Sequence, residues 1–159
     1  MRIAIAAIGR MKQGPERELV SRYLDRAKAS GKPLALTGFD VLEFAESRAG
    51  SAEARKDEEA KTLVAALPEG VRVVLDEHGK PISSQGLATQ IERWRDDGRP
   101  AVSFVIGGAD GHGRELLASA DLTLSFSPLT WPHQLVRIML CEQLYRATTI
   151  LSGHPYHRE

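Results

Sequence analysis

The chain has 159 residues, of which 42% are hydrophobic and 26% charged, with 21 basic and 21 acidic side chains and a formal net charge of zero. This composition reads as one soluble domain over residues 1–159, large enough to bury a core and expected in the cytoplasm. No apolar run approaches the roughly 18 residues of a membrane helix, the opening MRIAIAAIGRMKQG is too short in its apolar part for a secretory signal, and the single Cys141 leaves no internal disulfide or thiolate metal cluster.

Taken in chain order, RIAIAAIG reads as a strand that Gly9 breaks. After Pro15, the residues Leu19, Val20, Tyr23, Leu24 and Ala27 recur at helical spacing, ending before Gly31 and Pro33. LALTGFDVLEF is strand-like at its start, with Gly38 weakening its middle, and residues 40–51 read as an acidic loop. Ser51 is expected to cap a helix over SAEARKDEEAKTLVAAL. VRVVLD is a short apolar strand, EHGKP a tight turn, and Ser83 or Ser84 caps the next helix through Ile91 and Trp94. AVSFVIGG, RELLASA, LTLSFS and HQLVRIMLCEQLYRATTIL complete the series as strand, short helix, strand and long apolar helix. The order βαβαβαβαβα predicts an α/β fold, a mostly parallel sheet with helices on both faces. In such a sheet, ligands bind outside the carboxyl ends of strands.

Charge is unevenly spread. Residues 1–32 carry eight basic side chains against three acidic ones, while residues 40–59 carry seven acidic ones against Arg48, Arg55 and Lys56. The basic end suits a polyanion such as RNA, and equally a solvated helix face.

Three strand-end loops hold the candidate site. EHGKP follows the third strand, IGGADGHG the fourth and FSPLTWPH the fifth. Paired glycines after an apolar strand let backbone approach a ligand, although a turn without ligand has the same pattern. Neither a dinucleotide fingerprint nor a P-loop fits the glycines. The third loop combines backbone groups with apolar walls, which suits an aromatic heterocycle such as adenine, or simply a packed connection; Thr130 is a candidate cap before Pro132. His112 and His78 read as exposed and His133 as a structural contact. His154 and His157 lack metal-ligand spacing.

The motifs LDEHGKP, ERWRDDGR, FVIGGADG, LTWPHQLVRIMLCEQLYRA and the ending HPYHRE resemble the ribosomal RNA large-subunit methyltransferase H family, of the SPOUT or α/β-knot class. The resemblance runs nearly end to end and is strongest from residue 71 onward. It implies a C-terminal trefoil knot, a homodimer, the cofactor S-adenosylmethionine and no metal. It implies methylation at N3 of a pseudouridine in helix 69 of 23S rRNA, on the assembled 70S ribosome. Carried over by position, it assigns the cofactor to Leu75, Gly107 and the run Phe126, Ser127, Pro128, Leu129, Thr130 and Trp131. It places Tyr156, His157 and Arg158 near the methyl donor as the catalytic tail. For the chemistry, His157 is the candidate base for the N3 proton, Arg158 a cation beside ring oxygens or phosphate, and Tyr156 a stacking or hydrogen-bonding partner. Arg10, Lys12, Arg22 and Arg26 are candidate phosphate contacts. The apolar last helix suggests a dimer interface, with core packing the alternative. Other readings are a knotted methyltransferase for another RNA such as tRNA, and a ribosome-binding protein without catalysis.

Overall fold

Two strands with almost no polar side chains lie in the middle of the sheet, because only a strand covered on both faces can be apolar throughout. They are β1 (Arg2–Ile8) and β4 (Ala101–Ile106). The computed structural model describes residues 1–158. Five parallel strands run in the order β2-β1-β4-β3-β5, adding β2 (Thr37–Phe44), β3 (Val71–Pro81) and β5 (Leu122–Ser125).

The helices alternate with the strands as the sequence pattern predicts. One core joins Ile3, Ile5, Val73 and Phe104 of the sheet to α1 (Pro15–Gly31), α3 (Ser84–Asp96) and α5 (His133–Leu151). The other joins Ala6, Ile8, Val74 and Val105 to α2 (Ala52–Ala66) and α4 (Arg114–Ala118). Alternate residues of one strand thus serve opposite cores, as the two-residue period of a strand demands. Ser51 caps α2 by accepting from the Ala54 amide at 3.1 Å, and Ser83 caps α3 by accepting from Gly86 at 3.0 Å. Among the described residues, no helix is long and apolar enough to cross a membrane.

Three local expectations need correction. The strand in LALTGFDVLEF occupies its end rather than its start: Lys32–Leu34 form a 3-10 turn and Ala35 is left-handed (φ 57°). Phe39 is the unpaired residue of a bulge in β2 (φ 57°), which turns its ring into the core and breaks the two-residue period. EHGKP is not a turn that ends the strand: residues 76–79 leave the ladder and β3 resumes pairing with β5 at Lys80 and Pro81. Thr130 does not cap α5; its hydroxyl donates to Glu77, and Pro132 stands at the cap position.

Candidate functional site

The carboxyl ends of β3, β4 and β5 open into one cavity of about 850 Å³. Its apolar walls include Leu75, Ile106, Leu124, Phe126 and Val136. Leu75, Gly107, Phe126, Ser127, Leu129, Thr130 and Trp131, all expected at the cofactor, line this cavity. Pro128 is exposed and lies outside the lining.

Ser127 shapes the loop after β5. Its hydroxyl oxygen accepts from the Leu129 amide at 2.9 Å and from the Trp131 indole N–H at 3.0 Å. That pair of bonds folds residues 127–131 over the cavity mouth. The loop is pinned to β3 by Thr130, whose hydroxyl donates to Glu77 Oε2 at 3.0 Å. Leu129 and Trp131 remain 64% and 40% exposed, and Leu135 on α5 is 43% exposed, which leaves an apolar rim without cover in the single chain.

The glycine loop is held from the other side. Arg55 of α2 makes a bidentate contact with Asp110, Nε to Oδ2 at 2.6 Å and Nη2 to Oδ1 at 3.1 Å. This contact raises the arginine's proton affinity and holds the Asp110 carboxyl below its ordinary range. Arg55 also donates to the Ala49 carbonyl at 3.1 Å, so one guanidinium ties the loop after β2 to the loop after β4. Glu59, 6% exposed, accepts from the Ser47 amide at 2.9 Å and lies beside Gly108.

His112 differs from its sequence expectation. Its imidazole is packed inward against Gly107, where an added Cβ would stand 2.9 Å from ring carbon Cε1, and Nε2 is buried without a hydrogen-bond partner. Burial lowers its pKa below 6.5, against the opposing pull of Asp76 and the Leu75 backbone. Its place among glycines pointed to an exposed turn. Only the fold shows that the turn closes back on the strand end. His78 is exposed, as expected. His133 lies beside Gly9 and lines the cavity.

Near the start of α5, Arg137 is buried at 1% exposure, donates to the Gly9 carbonyl at 2.8 Å and pairs with Glu43 at 3.5 Å. Glu43 also accepts from the Met11 amide at 2.8 Å. The loop bearing exposed Arg10 and Lys12 is thereby joined to the helix that walls the cavity.

The tail is elsewhere in the single chain. Tyr156, His157 and Arg158 do not line the cavity. Tyr156 packs on Tyr145 (ring centroids 4.7 Å apart) under the Arg146 guanidinium at 4.8 Å, and its hydroxyl donates to Glu142. Arg146 donates to His157 Nδ1 at 3.2 Å and to Glu142. An arginine N–H can only donate, so Nδ1 is the acceptor and a neutral His157 carries its proton on Nε2.

Lining residues that carried no site assignment from the sequence include Asp76, Glu77, Ile106, His112, Val136 and Lys56. Glu77 stood in a recognised strand-end loop and Asp76 at the end of the strand before it, which was the available signal. Among the described residues, no group of three or more His, Cys, Asp or Glu side chains is arranged to hold a metal ion.

A parallel sheet with an apolar cavity at its strand ends, entered by glycine backbone, defines a small-molecule cofactor site on an α/β scaffold. The family model described as predicted SPOUT methyltransferase matches residues 1–157. Proteins called ribosomal RNA large subunit methyltransferase H are 55% identical in Rhodopseudomonas palustris and 53% identical in Brucella anthropi, each over 159 residues and 99% of both chains. Among solved structures, the SpoU methyltransferase AviRb from Streptomyces viridochromogenes, in complex with its cofactor AdoMet, aligns at a TM-score of 0.42 and 14% identity over 96% of this chain and 61% of that one. The chain belongs to the SPOUT methyltransferase family, whose members take their methyl group from S-adenosylmethionine.

The cavity fits that cofactor. Gly107 leaves a strand end bare of side chain, apolar walls suit the adenine ring, the buried Nε2 of His112 is without a partner, and Asp76 and Glu77 suit a cation.

Proposed function

We propose that this chain, as a cytoplasmic homodimer with a trefoil-knotted C-terminal part, methylates N3 of a pseudouridine in helix 69 of 23S rRNA on the assembled 70S ribosome. The observation that carries the reading is the cavity itself, in which residues 75–78 of β3 and the loops after β4 and β5 converge around Gly107 in a chain whose relatives bear the name of rRNA large-subunit methyltransferases.

The cofactor supplies an activated methyl on a sulfonium, so the protein's part is placement of the acceptor and management of its N3 proton. Leu75, Gly107 and the 126–131 loop hold the donor at the strand ends. The tail supplies polar groups, but it is anchored further along α5, at Glu142, Tyr145 and Arg146, than His133 and Val136, which line the cavity. From His133 to Glu142, the anchor of Tyr156, the helix rises about 14 Å. A two-fold partner whose α5 runs antiparallel brings its tail to this cavity, and covers Leu129, Trp131 and Leu135 with apolar surface. We therefore read the site as composite: cavity from one protomer, Tyr156, His157 and Arg158 from the other. His157 becomes a base once Arg146 releases Nδ1. Tyr156 stacks on the base, and Arg158 steadies the anionic ring. Exposed Arg10, Lys12, Arg22 and Arg26 contact phosphate.

The test is transfer of labelled methyl from S-adenosylmethionine to 70S ribosomes that lack the modification, followed by mapping of the product. Label at N3 of the helix 69 pseudouridine is expected. Label in tRNA instead would replace the substrate, and binding to ribosomes without any transfer would replace the enzyme by a binding protein.

A further inference from the structure

Strand β3 makes a detour exactly where it borders the cavity. Leu75 and Lys80 both pair with Leu124, so Asp76, Glu77, His78 and Gly79 loop out of the ladder between them. Gly79 permits this, since a Cβ there would stand 2.7 Å from the Thr123 carbonyl oxygen.

The detour carries two carboxylates to the cavity wall. The Asp76 side chain is 17% exposed and accepts from the His78 amide at 2.9 Å. Glu77 is 39% exposed and is steadied by the Thr130 hydroxyl. Among the described residues, neither has an arginine or lysine within ion-pair distance; the imidazole of His78 approaches them at 3.2 and 3.8 Å. The other charged groups of the lining are engaged elsewhere, Asp110 with Arg55 and Lys56 with Glu53 at 3.4 Å. The uncompensated charge of the cavity is negative.

During methyl transfer the cofactor's sulfonium loses its methyl cation to the acceptor nitrogen and becomes a neutral thioether. Its amino-acid and nucleoside parts are unchanged. A fixed carboxylate in a partly desolvated wall therefore distinguishes the spent cofactor from the fresh one through that single charge. We propose that Asp76 and Glu77 set the preference of this cavity for S-adenosylmethionine over S-adenosylhomocysteine, drawing in the cationic donor and releasing the neutral product. The proposal rests on the cavity being the cofactor site.

Calorimetric titration of the full-length protein with each compound tests it without any turnover. The expected result is that Asp76→Asn weakens S-adenosylmethionine about tenfold and S-adenosylhomocysteine about twofold or less. The more exposed Glu77→Gln gives a smaller shift in the same direction, about threefold, with little risk to folding. Added salt narrows the wild-type preference more than it does that of the variants. Equal weakening of both compounds in both variants would overturn the proposal and leave the cofactor site standing. Unaltered binding of both compounds in Gly107→Val would overturn the cofactor site itself.

Discussion

The hydroxyl of Tyr156 donates to Glu142 at 2.9 Å, so the penultimate turn of the chain is fastened to the middle of α5 rather than left free. Burial, then this bond, pushes the phenol up to about 12. Replacement by Phe keeps the ring on Tyr145 and under Arg146 but removes the donor. Urea unfolding should show a loss of about 1 kcal/mol. Alkaline titration followed by absorbance should show one phenol in the native protein that resists ionisation well past its ordinary value of 10.0, and should lose it in the variant.

The Arg55–Asp110 pair sets the position of the glycine loop. Arg55→Ala should raise the KM for S-adenosylmethionine about fivefold with kcat nearly unchanged, if the loop that lines the cavity serves the cofactor as proposed. The charge-exchanged double variant, Arg55→Asp with Asp110→Arg, should recover only part of that loss, since an aspartate cannot replace the donation to the Ala49 carbonyl. Recovery beyond the sum of the two single variants measures the coupling between the two side chains.

His112 makes the fold sensitive to acid. Its folded-state pKa lies below the unfolded 6.5, so the unfolded chain takes up the proton first as pH falls. The contribution of the neutral ring is complete above 6.5 and is lost progressively as pH drops from there towards the folded-state value. Between about pH 7.5 and about pH 5, the melting temperature of the wild type should fall further than that of His112→Asn.

Cys141, on the buried face of α5, lies at 0% exposure, and burial pushes its thiol up to about 12. Iodoacetamide near neutral pH should label it about a hundredfold more slowly in the native protein than in denaturant, with methyl transfer unaffected by the treatment.

The sequence carried the main plan because that plan rests on repeated patterns. Continuous apolar runs in RIAIAAI and AVSFVI marked the two central strands, and Ser51 and Ser83 marked helix starts through the bonds they make. The loops that line the cavity after β4 and β5 were legible as glycine or backbone-rich segments directly after such strands. What escaped were features set by contacts distant in sequence. The detour at residues 76–79 depends on β5 pairing twice with β3, and Phe39 leaves the two-residue period because of a bulge against β1. His112 is buried because its turn closes on Gly107, while the tail is held away from the cavity of its own chain by Glu142 and Arg146. Neither contact has a local signature.

The composite site is tested most directly by mixing two inactive chains. One carries Gly107→Val and keeps its tail; the other is truncated after Ser152 and keeps its cavity. Each alone should transfer no methyl to ribosomes. Random exchange makes half of the dimers mixed, with one complete site of two, so about one quarter of wild-type activity should return. No return of activity, with mixed dimers demonstrably present and folded, would contradict a tail acting on the partner's cavity.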